Sequence, residues 1–426
     1  MRHIRISHPN RSTRILALAA VLLAGVAAGP SHAQGRVPLT FEARTIETQA
    51  VLWWARAPGD VDGDGLLDLL LQDNNGHGGV LCWYRTHDNG TRWTRYRIAE
   101  KAPNGGPFAA GALDAADINH DGRLDVLGLA HPGEWKQAGA PTEIYWYENP
   151  APGGDPATDA WAPHHIGSVP AFIKDLALAD FNGDGKVDLV AITFVGNRFH
   201  VFRQDSPTAW TKVQDFAIPN LHEGLDAGDI TGNGLPDVAT NGYWVENPGA
   251  DLTGAWTVRS IDEKWHNQTG DWSRNATKVF CRDITGDGRA EVFLSHSERA
   301  GYPVAWYHAE DPRQGPWTEH VITDTLVAVH TLQVFDFDGD GRCDVLTGVN
   351  KSRARALGAT TFPAVVFRNR GDNLAWDEIL LSNDGIYNGQ VGDLQGNGRL
   401  DIFRLPTHDA TVFEVLVNRS PLLQDR

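Results

Sequence analysis

One nine-residue pattern returns seven times along the chain, and nothing else in the sequence constrains the fold as tightly. It runs from an Asp through alternating polar positions and an invariant Gly to a final Asp or Glu. It starts at Asp60, Asp117, Asp180, Asp229, Asp283, Asp336 and Asp393, with 49 to 63 residues between successive starts. A period of that length sustained along a chain marks a repeat architecture, each repeat being one supersecondary unit. Every loop is preceded by a short strand-like stretch and followed by an apolar one, such as Asp68-Leu-Leu-Leu or Asp188-Leu-Val-Ala. A third strand brings an aromatic pair (Trp83-Tyr84, Trp146-Tyr147, Trp306-Tyr307). A fourth opens on Trp93, Trp161, Trp210, Trp256, Trp317 or Trp376. Four strands per repeat predict an all-β chain: a seven-bladed β-propeller of four-stranded antiparallel blades.

The chain ends predict how the ring closes. The last repeat stops after its third strand, Thr411 to Val417, with no Trp-led fourth. Near the other end, Phe41-Glu-Ala-Arg-Thr-Ile46 resembles the fourth strand Trp256-Thr-Val-Arg-Ser-Ile261. The N-terminal strand is therefore predicted to complete the last blade, leaving no open sheet edge. Residues 34–426 read as a single propeller domain. Residues 1–33 read as a signal peptide: Arg2, Arg5, Arg11 and Arg14 precede the apolar run Ile15 to Ala28, and Ser31-His32-Ala33 suits cleavage before Gln34. That run is too short for a retained anchor and no later stretch could span a bilayer. The expectation is a secreted or periplasmic protein with no transmembrane anchor in the mature chain. A net charge of −17 argues against nucleic acid, whose phosphates demand a basic surface. Cys82, Cys281 and Cys343 fall in or beside strands of separate repeats and read as buried hydrophobes without a disulfide framework.

The loops have the chemistry of calcium sites. Calcium takes six to eight oxygens from a flexible cage. Loop positions one, three, five and nine can converge on one ion, with a carbonyl from position seven, as at Leu66. The candidate ligands are Asp60, Asp62, Asp64 and Asp68 in the first loop, and Asp117, Asn119, Asp121 and Asp125 in the second. Asp180, Asn182, Asp184 and Asp188 follow, then Asp229, Thr231, Asn233 and Asp237. The last three sets are Asp283, Thr285, Asp287 and Glu291; Asp336, Asp338, Asp340 and Asp344; and Asp393, Gln395, Asn397 and Asp401. Position six is Gly throughout, as a turn with positive φ requires. The alternative is a plain Asx-rich turn, which gains weight at Asp229 and Asp393, where hydroxyl and amide groups replace carboxylates.

These motifs resemble the FG-GAP/VCBS repeats of bacterial exported proteins and integrin α heads, over nearly all of residues 34–426. The resemblance implies structural calcium on the face opposite a ligand funnel. The runs Trp146 to Pro150 and Val329 to Val334 further resemble the propeller of aldos-2-ulose dehydratase and related sugar-acting propeller lyases. Cupin domains found beside that propeller have no counterpart in this sequence, so activities that depend on them are not implied.

By fold-level analogy, function gathers on the face away from the loops. Residues predicted there include His77, His131, His222, His266, His296, His330 and His408, half of the histidines beyond residue 33. Lys174, Asp175, Lys278, Glu298 and Trp272 fall among them. The first reading is a carbohydrate lyase or dehydratase working by β-elimination. His222 or His330 would be the base, Lys351 or Arg299 the enolate stabiliser and Tyr387 the acid. His77, His131, Trp135, Glu223, Trp265, His296, Asn388 and His408 would contact the sugar. A transition metal such as Zn²⁺, held by two or three histidines and Glu223, could replace the cationic stabiliser. The second reading is a non-catalytic module that binds a glycan or protein. A glycosidase built on Glu223 and Glu298 is third. Against all three stands a bland reading, in which the histidines bond carbonyls between blades.

Overall fold

The computed structural model describes residues 38–50, 54–72, 79–132, 135 and 139–421. The predicted signal segment and His77 lie outside them. The described residues form seven sheets of four antiparallel strands, one sheet per repeat. The first blade runs Ala55–Gly59, Asp68–Gln72, Leu81–His87 and Arg92–Ala99. Second strands such as Asp125–Ala130 are buried at every residue, because both faces pack on neighbouring blades. Outer strands such as Arg92–Ala99 alternate between exposed and half-buried positions. Hence the inner half of each repeat reads as an apolar run and the outer half as mixed. The ring closes as predicted: Phe41–Glu47 pairs with Phe413–Asn418, Phe41 opposite Asn418 and Glu47 opposite Phe413.

Buried polar side chains stitch the blades together. Along the inner strands, Asp114 Oδ2 accepts from Leu178 N at 3.0 Å, Asp175 Oδ2 from Gly224 N at 2.8 Å and Asp226 Oδ2 from Cys281 N at 2.8 Å. On the loop face, amides reach the carbonyl at position two of a loop in an adjacent blade. Asn149 Nδ2 donates to Val61 O at 2.8 Å, Gln204 Nε2 to Ile118 O at 2.9 Å and Asn247 Nδ2 to Phe181 O at 2.7 Å. Each satisfies a backbone group that burial would otherwise leave unpaired. Cys82 and Cys281 are buried thiols in different blades and Cys343 is a half-buried one, none of them in a disulfide among the described residues.

The loops share one geometry. Their position-six glycines sit at φ between 79° and 87°. The first carboxylate folds the turn: Asp60 Oδ1 accepts from Gly63 N at 2.8 Å and Oδ2 from Gly65 N at 3.0 Å. The ninth-position carboxylate ties the loop to strand three, since Asp68 accepts from Val61 N at 3.1 Å and Thr86 N at 2.8 Å. The same double acceptance recurs at Asp125, Asp188 and Asp344.

Candidate functional site

On the face away from the loops lies a cavity of about 520 Å³. Its floor is built by repetition. Trp54, Gly111, Lys174, Glu223, His330 and Tyr387 all line it, and each stands six residues ahead of the first Asp of its own loop. The seventh equivalent, Thr277, turns aside and donates Oγ1 to Glu223 O at 2.7 Å. Local strand irregularity aims two of these side chains. The pairing register shifts between Ile173 and Asp175 and between Val329 and Thr331, so Lys174 and His330 are the extra residues of β-bulges. Gly111 is small because a Cβ there would meet Lys174 O at 2.3 Å. A larger opening of about 1040 Å³ on the loop face is walled by loop backbone and small residues such as Gly59, Ala115 and Ala179.

Two charged groups of residues meet on this floor. In the first, Lys174 Nζ stands 2.7 Å from Glu223 Oε2 and Lys278 Nζ stands 3.9 Å from Glu223 Oε1. Ser297 Oγ also donates to Glu223 Oε1. Burial alone would raise the Glu223 carboxyl, but Lys174 and then Lys278 hold it well below the usual carboxylate range. In the second, His330 Nε2 lies 3.4 Å from Glu298 Oε1, and Arg353 Nε lies 3.2 Å from Glu298 Oε2. Arg353 Nε also donates to Glu298 O at 2.8 Å. Burial, reinforced by the charge of Glu223, pushes the Glu298 carboxyl up to about 7. Burial, with Lys278 nearby, keeps the His330 imidazole neutral well below its ordinary value. His330 Nδ1 donates to Asn388 Oδ1 at 2.9 Å, and Asn388 Nδ2 donates to Trp54 O at 3.3 Å. That chain leaves the His330 Nε2 lone pair directed at Glu298. The Tyr387 ring packs 4.2 Å from the His330 ring, and burial raises its phenol.

The walls are aromatic and come from the segments between strands. Trp135 packs edge-on to Phe194 at 4.4 Å and to Trp272 at 6.0 Å. Trp272 is 40% exposed, which leaves ring surface for a ligand. Phe172 adds to the wall, and at the rim His408 Nδ1 lies 3.3 Å from Ser352 Oγ.

Of the residues predicted for this site, Trp135, Glu223, His330, Tyr387 and His408 line the cavity, with Asn388 directly behind His330. Others are placed elsewhere. His222 Nε2 donates to Trp272 O at 2.7 Å and its ring packs on Phe194 at 4.6 Å, so it braces a wall. His131 packs behind Phe172 at 5.4 Å. His296 is engaged at both nitrogens, by Gln268 Oε1 at 2.9 Å and Glu298 N at 3.2 Å. Trp265 is a core residue, fully buried and donating to Tyr307 Oη at 2.9 Å. Arg299 ties the connection before blade five, through Ser273 Oγ at 2.9 Å and Thr269 O at 3.1 Å. Lys351 pairs with Asp384 beside a separate depression. The cations placed around the cavity floor are Lys174, Lys278 and Arg353 rather than Arg299 and Lys351. Arg353 belongs to the short helix Lys351–Ala356, which no helical periodicity announced. The other floor residues had a signal: their constant spacing from the loops.

The fit of metals differs between the two ends. Glu223, Glu298 and His330 offer ligand atoms within 4.8 Å of one another. Two ammoniums beside Glu223 already bring the charge a divalent ion would bring, so these residues fit one poorly. On the loop face, carboxylates gather within the same distance in the loops opening at Asp60, Asp283 and Asp336. Arg85 Nε lies 2.5 Å from Asp62 Oδ2, partly offsetting that cluster. In the last loop, Asn397 Nδ2 donates to Gln395 Oε1 at 3.0 Å and Gln395 Nε2 donates to Asn89 O of the first blade at 2.7 Å, so amides there are already bonded within the protein.

A propeller with repeated Asp-rich loops at one end and a polar-floored cavity at the other is the class of protein defined so far. The FG-GAP-like repeat family matches residues 39–128, 180–240 and 283–347, and the chain belongs to it. Among solved structures it is similar to a Penicillium chrysogenum alpha-L-arabinanase complexed with arabinobiose, at 12% identity and TM-score 0.50, covering 89% of this chain and 98% of that one. It is similar to an alpha-L-arabinofuranosidase from Fusarium graminearum at 11% identity and TM-score 0.52, covering 89% and 98%. It is also similar to BBS1N in complex with ARL6DN, at 10% identity and TM-score 0.53, covering 91% and 99%. These likenesses are of fold. No curated protein matches the sequence significantly.

Proposed function

We propose that this chain is an exported carbohydrate lyase that works by β-elimination, on a scaffold whose carboxylate-rich loops hold structural calcium. One observation carries the catalytic reading: an imidazole and a carboxyl sharing a site at 3.4 Å, beside half-buried ammonium and guanidinium groups, on the floor of an aromatic-walled cavity. β-Elimination needs a base for a carbon-bound proton, positive charge for the enolate, and an acid for the leaving oxygen. The His330–Glu298 pair takes the proton, with the Glu298 carboxyl pushed up to about 7, where a general base is most effective. Lys174 and Arg353 stabilise the negative charge that develops on the carbonyl or carboxyl oxygen. Tyr387, neutral because it is buried, donates its phenolic proton as the C–O bond breaks. The C–H and C–O bonds are lost, a C=C bond forms, and the departing sugar leaves as an alcohol. Trp135 and Trp272 supply the stacking surfaces that a sugar ring requires.

Calcium would be held by position one, three, five and nine oxygens, best in the loops at Asp60, Asp283 and Asp336, and would neutralise their mutual repulsion. The purified protein should be offered acidic and neutral polysaccharides while ultraviolet absorbance of a conjugated carbonyl and new chain ends are followed. An unsaturated product supports the lyase. New reducing ends without unsaturation point to hydrolysis, and retention without any product to a glycan-binding module.

A further inference from the structure

We propose that the ligand of this cavity carries a carboxylate, seated against Lys174 and Arg353 with the charge of Lys278 behind them, so that its natural partners are uronate-type sugars. The inference rests on the carbohydrate reading above and sharpens it to one substrate class.

The balance of charge around the floor is the starting point. Four cations stand around it, Lys174 and Arg353 in the lining and Lys278 and Arg56 buried behind it, against three acids, Glu223 and Glu298 in the lining and Asp175 behind. The acids are taken up within the protein. Glu223 is held by Lys174 at 2.7 Å, Glu298 by Arg353 at 3.2 Å, and Asp175 by Gly224 N at 2.8 Å. Arg56 is capped by carbonyls, donating to Tyr387 O at 3.0 Å and to Asn388 O. Lys278 is left over. It is 1% exposed, reaches Glu223 only at 3.9 Å, and makes no hydrogen bond among the described residues. A buried ammonium without donors satisfied is expensive to maintain, in a chain whose net charge is −17. Buried beside Glu223, which lines the cavity, it adds a positive charge behind the floor that favours an incoming anion.

A neutral sugar could stack on the walls but would leave that ammonium unanswered. A sugar carboxylate satisfies both features at once, its ring on Trp135 and Trp272 and its charge at the floor. It also suits the chemistry, because a carboxylate next to the C–H is the group whose enolate the same cations would stabilise.

Tryptophan fluorescence titration tests this, using oligogalacturonates and oligoglucuronates against their carboxyl-reduced counterparts at fixed calcium. Reduction changes only the carboxylate, so linkage and ring shape are controlled. At least one acidic series should bind roughly ten- to a hundredfold more tightly than its reduced form, as expected for a charge-assisted bond. Lys278→Met should erase that preference while keeping the parent's melting midpoint, because Glu223 retains Lys174 and Ser297. Arg353→Gln, on the exposed side of the site, should reduce it too and serves if Lys278→Met misfolds. Equal binding of acidic and reduced oligomers, binding of neither, or an unchanged preference in the variants would overturn the proposal. Acid-selective binding without an unsaturated product upholds it and removes the lyase reading. Elimination from a neutral keto sugar with no acid preference does the reverse.

Discussion

Replacing Lys174 by Met isolates the electrostatics of the cavity floor. The side chain is 17% exposed and its partner Glu223 3% exposed, so the substitution strands a buried carboxylate. At an effective dielectric of about 20, opposite charges at the observed 2.7 Å attract by roughly 6 kcal/mol, and at the 3.9 Å of Lys278 by roughly 4 kcal/mol. Desolvation offsets much of either figure. Breaking a buried pair from one side generally costs about 3–5 kcal/mol, and Lys278 with Ser297 remains to help. The expected loss is therefore about 3 kcal/mol at neutral pH. The pH dependence has a definite sign. In the parent, Glu223 ionises well below its ordinary 4.5, so its contribution is present above that value and is lost as pH falls through the folded value. In the variant, burial without Lys174 raises the carboxyl. The penalty should then grow as pH rises from the parent's folded value toward the raised value of the variant. Urea unfolding of parent, Lys174→Met and Lys174→Met/Glu223→Gln at acid and neutral pH measures all of this. The double variant should recover most of the loss, because no charge is left stranded. A double variant as unstable as the single, or a penalty independent of pH, would refute the reasoning.

Glu298→Gln and His330→Ala should each lower turnover by about 10²–10⁴-fold with little change in melting, and kcat/KM of the parent should rise as pH passes through about 7. His222→Ala should act through the Trp272 wall, raising KM more than it lowers kcat. Chelation of calcium should lower the melting midpoint. Asp60→Ala or Asp336→Ala should cost more of the calcium-dependent stability than Asp393→Ala, whose loop already bonds itself. In chelator, burial holds Asp68 and Asp344 up to about 8, so stability present at low pH is lost as pH rises through that value. The calcium-free protein should therefore melt higher at pH 5 than at pH 8, and calcium should reverse the order. Deleting residues 34–47 removes the strand paired with Phe413–Asn418, and light scattering should show association through the exposed edge.

How far the sequence reaches is clearest at the loops and the ring closure. The loop pattern is local: an Asp and a Gly five residues on make the same turn wherever they occur, because their bonds run within the nine residues. The missing fourth strand of the last repeat and its twin at Phe41 also needed no coordinates, since strand complementarity is written in composition and count. The cavity floor was half legible. Its residues hold a fixed place ahead of each loop, yet one glycine and one threonine occupy the series among charged and aromatic members, which hides it from any search by residue type. His222 and His330 stand at matching distances from their loops, offset by one, and nothing in the sequence separates a wall brace from a floor residue. A bulge at His330 does, turning its ring to Glu298, while the carbonyl of Trp272 claims His222. The sequence alone determined a seven-repeat ring with Asp-rich turns, because those features depend on neighbours a few residues away. Only the tertiary structure decided that Lys174, Lys278 and Arg353 share a floor with Glu223 and Glu298. They come from four blades, and electrostatic partnership between them exists only once the ring has closed.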